Sequence, residues 1–397
     1  MKKFHVLSAS TLLLISGGFN AYSQEANADK PKLTFKPAGR ILFDGALFAP
    51  NKNGFSDGVA LPDIRLGGTA TFGKFSGKLD IGYGMGKLSL KDVFIAYKPD
   101  AYNTFKLGYF VHQFGLNAAT SSSMKPTMIA PTSDTFFNAT GRNLGLNYIH
   151  DKNQFFFGLS AFASAKSLSN TPGQQGKISV GAMERFVWHP YYTDGNVVQI
   201  GFSSWYQSAE HTAETNAAGE IVASPGSFNY SANFPTKVDN VGLVQANVSN
   251  AKGVLKISPE LVLAKDRFAL EGQFYYMNVN RDHGYSSYNS KAAYGSVRAL
   301  LLGDKQYGYS RGDAGLATPS PKTLECVLGY DYTNAYDSKA GVIGGISNDY
   351  SVTFNYYLNK YVICRLRYSY TNVRDADFTP DRHVNIIQAR VMFKFSL

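Results

Sequence analysis

Cations fall at every second position in several apolar stretches of this chain. Arg365 and Arg367 alternate with Cys364, Leu366 and Tyr368, while Arg390 and Lys394 alternate with Ala389, Val391, Phe393 and Phe395. A guanidinium fork grips oxyanion or carboxylate oxygens, and a row of fixed cations attracts mobile anions without any pocket. The same phase of alternation brings Arg40, Arg65, Lys106 and Arg298 to the polar side of their own stretches. Asp44, Asp80 and Asp331 share that phase, so a second use of the arginines is to pair with carboxylates and stiffen a wall. The sequence leaves both uses open.

Catalytic chemistry finds less to work with. A hydrolase needs a nucleophile or a bound water beside a histidine and a carboxylate. Beyond the first residues the histidines are His112, His150, His189, His211, His283 and His383, scattered between stretches, and His150-Asp151 reads as a polar turn. No spacing suits a metal, and no glycine loop suits a nucleotide. No enzyme and no cofactor are expected. The two cysteines, Cys326 and Cys364, lie in strand-like stretches separated by one other. Alternate strands sit about 9.6 Å apart, beyond the disulfide reach of about 7 Å, so both are expected as free thiols.

The elements that carry these cations have period two. Ile387, Ala389, Val391, Phe393, Phe395 and Leu397 alternate with Gln388, Arg390, Met392, Lys394 and Ser396, a run long enough to cross a bilayer at a tilt. The pattern recurs at Tyr350, Val352, Phe354 and Tyr356, at Phe105, Leu107 and Tyr109, at Leu144, Leu146 and Tyr148, and at Val198, Ile200 and Phe202. A sandwich would turn the apolar face inward and a membrane barrel would turn it to lipid, so periodicity alone does not choose. Connection lengths do. Short polar turns such as 150–153, 265–267 and 358–360 alternate with long connections near 49–61, 113–140, 165–177, 208–238, 280–292, 334–348 and 373–383, as in a barrel with turns at one rim and loops at the other. The loop near 208–238 looks like an ordinary surface loop. The count is about 16 antiparallel strands, an all-β transmembrane barrel, with 241–264 and 303–321 hard to parse. Tyrosine and tryptophan cluster at strand ends, as in interfacial girdles.

Composition agrees, with Gly 38, Tyr 26 and Phe 28 beside 17% charged residues. Lys2-Lys3, an apolar stretch and Ala21-Tyr22-Ser23 predict an export leader over 1–23. A short segment, 24–38, then precedes one barrel domain, 39–397, and is too small for the plug domain of an energy-coupled transporter. The formal charge of +10 becomes 10 − 2 = +8 without Lys2 and Lys3. No nucleic-acid motif accompanies it, and no nucleic-acid partner is expected.

Several stretches resemble the porin O and P family of phosphate-selective porins. They include Gly39-Arg40-Ile41-Leu42-Phe43-Asp44, Gly67-Gly68-Thr69-Ala70 and Leu88-Ser89-Leu90-Lys91-Asp92. The most specific is Phe105-Lys106-Leu107-Gly108-Tyr109-Phe110 leading to Phe114-Gly115-Leu116 and Ala119-Thr120-Ser121-Ser122. Gly195-Asn196-Val197-Val198 and Asn355-Tyr356-Tyr357-Leu358-Asn359 follow in order. The resemblance implies a homotrimeric outer-membrane barrel of a Gram-negative bacterium, with outer-membrane lipid around it. It also implies an inward-folded third loop, near 113–140, forming the constriction, and passive diffusion of small anions such as phosphate. Selective members carry cations where this chain has Ala118 and Ala130, and the paired arginines expected before Gly67 are reduced to Arg65. Lys125 and Arg142 are the cations in or beside the loop that could substitute. The alternative is a barrel that serves adhesion or assembly through its long loops.

Overall fold

The computed structural model describes residues 31–121, 124–138, 141–168 and 177–396, so the expected leader over 1–23 lies outside the described residues. Sixteen antiparallel strands close into one barrel. They are β1 (Thr34–Pro50), β2 (Gly58–Phe72), β3 (Phe75–Gly84), β4 (Lys87–Tyr97), β5 (Asn103–Val111), β6 (Arg142–Lys152), β7 (Phe155–Ala163) and β8 (Val180–Thr193). Then follow β9 (Asn196–Ser208), β10 (Ala251–Lys265), β11 (Phe268–Arg281), β12 (Tyr288–Leu302), β13 (Thr323–Asp337), β14 (Val342–Tyr357), β15 (Val362–Ala376) and β16 (Arg382–Ser396). Closure is made by β1 on β16, with Arg40 opposite Lys394 and Asp44 opposite Arg390. A closed sheet leaves no unpaired edge, which is what allows strands to stand in hydrocarbon.

The alternation sorts as a membrane barrel requires. Leu107 is 56% exposed, Leu328 55% and Leu366 52% on the outer face, while Arg365, Arg367 and Arg390 are buried on the inner one. Cys326 and Cys364 are free and half-buried on β13 and β15, with β14 between them.

Several boundaries differ from the sequence expectation, and for a common reason. Pairing extends the strands past the apolar stretch, because backbone hydrogen bonding does not stop where hydrophobicity does. The first strand therefore begins at Thr34, upstream of Gly39, and the connections near 49–61, 280–292, 334–348 and 373–383 contract to 51–57, 282–287, 338–341 and 377–381. The connection near 208–238 is no ordinary surface loop. It runs to residue 250, and its part 227–249 is a hairpin whose Phe228, Tyr230, Phe234, Leu243, Val244 and Val248 are buried. Its turn is held by Gln388, whose amide donates to the Pro235 carbonyl at 2.8 Å. The ambiguous stretch 241–264 is thus the second arm of that hairpin followed by β10. The stretch 303–321 is a turn-rim connection, 303–322, with only the short pairs Tyr309–Ser310 and Gly315–Leu316 inside it.

Candidate functional site

Segment 112–141, between β5 and β6, begins with the helix α1 (Gly115–Ala119) and carries a second, α2 (Thr132–Phe136). Hydrogen bonds tie it to the polar face of seven strands that are not its neighbours in sequence. The Gly115 and Asn117 N–H groups donate to Ser203 on β9 (3.1 Å) and Gln273 on β11 (3.2 Å). Lys256 on β10 donates to the Phe137 carbonyl (2.9 Å) and sits over the Trp205 and Tyr230 rings at 5.0 and 4.9 Å. Ser133 donates to Asp331 on β13 (3.2 Å), and Asn355 on β14 donates to the Pro126 carbonyl (2.9 Å). Arg365 on β15 and Arg390 on β16 donate to the Lys125 and Met128 carbonyls at 2.5 and 2.7 Å. Gly115 is required at its position. Its φ is +81°, and a Cβ there would lie 1.7 Å from the Gln273 amide nitrogen.

Four arginines of this side are closed onto carboxylates. Arg185 on β8 and Glu260 on β10 meet at 2.7 Å with both side chains fully buried. Arg298 joins Glu271 at 3.0 Å and Glu325 at 2.7 Å. Glu325 also accepts from Tyr307, Asn355 and Tyr357 at 2.9, 3.0 and 2.9 Å. Arg367 pairs with Asp349 at 2.5 Å and Arg390 with Asp44 at 2.6 Å. A buried ion pair satisfied in this way costs little to keep and much to break.

The β1–β6 side is different. Arg40 bonds Asp63 at 2.6 Å, and Arg65 approaches the same carboxylate at 3.6 Å. Lys78 lies 3.1 Å from Asp80 and 3.4 Å from Asp92, and Asp92 also takes Arg142 at 2.8 Å. Lys91 has Asp63, Arg65, Arg142 and Arg40 as its charged neighbours. Lys106 is set over the Phe94 ring at 5.4 Å. Six cations thus surround three carboxylates, an excess of 6 − 3 = +3 in this cluster, with Asp44 and Asp151 of the same strands set aside because they close onto Arg390 and Arg311. Lys78 is 31% exposed and Arg142 20%.

Of the residues singled out from sequence, Arg40, Arg65, Lys106 and Arg142 come together on this side. Arg298, Arg365, Arg367 and Arg390 are on the covered side. Lys394 meets the Met124 sulfur at 3.3 Å. Lys125 is buried within the segment itself and donates to both oxygens of Asn117. Asp44 answers Arg390 as its phase suggested, whereas Asp331 accepts from Ser133 and Thr333. Sequence reasoning missed Lys78, Lys91 and Arg185. Lys78, Asp80 and Gly82 do alternate with Leu79, Ile81 and Tyr83, a usable signal, but a register shift at Leu79/Ile81 puts Lys91 and Asp92 into the same cluster although they are adjacent.

A cavity of about 140 Å³ lies where segment 112–141 meets the connection 303–322. Lys125 and Arg298 face Glu271 and Asp313 across it, so its walls are balanced in charge.

The family model for phosphate-selective porin O and P matches residues 63–395. The chain belongs to that family. This porin resides in a Gram-negative outer membrane as a multi-pass barrel. Comparison with curated protein sequences finds no match. Solved structures share the fold at low identity. The loop L8 deletion mutant of OmpT of Vibrio cholerae is 10% identical, with 92% of this chain and 100% of that chain covered and a TM-score of 0.55. The outer membrane channel DcaP of Acinetobacter baumannii is 11% identical, covering 94% and 99%, TM-score 0.54. OprB of Pseudomonas putida is 10% identical, covering 91% and 94%, TM-score 0.53.

Proposed function

We propose that this porin passes small hydrophilic solutes by diffusion with a preference for anions. Segment 112–141 is the inward-folded constriction loop, and the solute path runs between it and the inner face of β1–β6. The single observation that carries this is the excess of positive charge in the cluster around Asp63, Asp80 and Asp92 on that face, where Arg65, Lys78 and Arg142 keep contact with solvent. Fixed cations lining a water path lower the barrier for anions and raise it for cations. Phosphate in particular fits less well. Ala118 and Ala130 stand where selective members carry cations, and the cavity beside Lys125 is balanced in charge.

The turn rim, with 73–74, 153–154 and 194–195, faces the periplasm by the general rule for these barrels. A homotrimer is supported by OmpT of Vibrio cholerae, whose structure is described as a trimer form. Residues 1–23 serve as the export leader, and the barrel begins with β1 at Thr34. A non-catalytic role is supported by the porin family, and His112, His189 and His211 are engaged by backbone carbonyls.

The test is the reversal potential of the purified protein in a planar bilayer under a KCl gradient, repeated with phosphate. An anion-selective potential with chloride current little affected by millimolar phosphate is expected. A cation-selective or unselective current would overturn the proposal, and strong phosphate block would assign a site that the cavity's charge argues against.

A further inference from the structure

Among the turn-rim connections the longest besides 303–322 is 98–102. The segment 303–322 doubles back into a small hairpin, Tyr309 opposite Leu316 and Ser310 opposite Gly315, and reaches from β12 and β13 as far as β6. Its stem is fastened by backbone bonds, Tyr307 N–H to the Asp266 carbonyl at 2.9 Å and Gly195 N–H to the Tyr307 carbonyl at 2.8 Å. Beyond the stem, Arg185 donates to the Asp313 and Ala314 carbonyls at 2.9 and 3.0 Å. Gln199 donates to Ala314 at 2.9 Å and accepts from Tyr309 at 2.8 Å.

The farthest point is held otherwise. Arg311 donates to both oxygens of Asp151, at 2.5 and 3.3 Å, near the end of β6, and its guanidinium lies 5.1 Å from the Tyr192 ring. This pair keeps contact with solvent, Arg311 at 37% and Asp151 at 20% exposure. Gly312 follows immediately, with open space where a Cβ would stand. Anchors on either side, at Tyr309 and at Asp313–Ala314, and a solvated, screenable pair at Arg311 leave the tip 311–312 as the part of the strap that detaches first.

We propose that Asp151 and Arg311 are positioning residues of the pore. Their ion pair holds the tip of the strap 303–322 against β6 at the turn-side aperture, and release of that tip gives a wider conducting state. The proposal rests on the porin reading above.

Asp151→Asn and Arg311→Gln separate this role from a plain electrostatic one. The first removes a negative charge and the second a positive one, so effects of charge on conductance would run in opposite directions. Release of the tip moves both the same way. Single-channel conductance in the full-length protein is expected to rise in each by about 1.5-fold, and the charge-exchanged double variant D151R/R311D is expected to return to the wild-type level. Heat-modifiable mobility on gels checks that each barrel is closed. Unchanged conductance in both single variants, opposite shifts, or a double variant that stays wide would overturn the proposal. Absence of any channel in the wild-type protein would overturn the porin reading instead.

Discussion

The inner wall of the barrel is built from two arrangements of the same residue types. From β8 to β16 Arg185, Arg298, Arg365, Arg367 and Arg390 are covered, by segment 112–141, by the hairpin 227–249 or by the strap 303–322, and all but Arg365 are each closed onto a carboxylate. From β1 to β6 the cations exceed the carboxylates, and Arg65, Lys78 and Arg142 keep solvent contact. Desolvation accounts for the difference. A charge cut off from water needs a partner, a carboxylate or, as for Lys256 and Arg365, a backbone carbonyl, whereas one that keeps solvent contact can be screened by ions and left in excess. An arginine's place on the polar phase of a strand therefore does not define its role; what covers it does.

The largest effect expected from breaking this comparison lies on the covered side. Arg185→Met leaves Glu260 fully buried without its cation, which costs about 3–5 kcal/mol, and the midpoint of urea-induced unfolding should fall accordingly. The double variant Arg185→Met/Glu260→Leu should recover most of that loss, since two apolar side chains need no partner. A single variant as stable as the wild type would show that this wall does not depend on its pairs.

On the open side the same change of charge should act on transport and leave stability alone. Arg65→Gln/Lys91→Gln removes two positive charges from the solvated cluster and should lower the anion-to-cation permeability ratio about two- to threefold, with the unfolding midpoint unchanged. Arg367→Gln should do the reverse, because Asp349 is left buried while the water path is hardly altered. If Arg367→Gln shifts the reversal potential and the β2–β4 variant does not, the two sides have been assigned the wrong way round.

Much of the wall was legible from alternation, because period two fixes which face a strand residue takes. The outward run of β16 and the inward phase of Arg365, Arg367, Arg390 and Arg40 follow from it directly. What covers the wall was not legible. The hairpin 227–249 and the strap 303–322 find their places through bonds such as Gln388 to Pro235 and Arg185 to Ala314, between residues far apart in sequence with no periodic signature. The partners were half legible for the same reason. Asp44 could be matched to Arg390 from phase and strand closure, whereas Arg185–Glu260 joins strands on either side of β9. Lys91 escaped because a register shift breaks the very period used to find it.

The smallest expected effect belongs to Lys125, which is held among residues of the covered side. It is buried in segment 112–141, and desolvation holds its ammonium below the ordinary lysine range, with Asp134 and Glu271 acting the other way. The sign of the linkage follows. The folded loop binds the proton less tightly than the unfolded chain, so the penalty for the charged form is complete below the folded pKa and fades as pH rises toward the unfolded value of about 10.4. As pH rises the loop gains stability and loses a positive charge before a solvated lysine would. Reversal potentials measured from about pH 7 to about pH 10 should therefore show a small decline in anion preference ahead of free lysine titration, and Lys125→Met should lack that step. If wild type and variant trace the same curve, the charge of Lys125 does not reach the water path, and the anion preference belongs to the β1–β6 face alone.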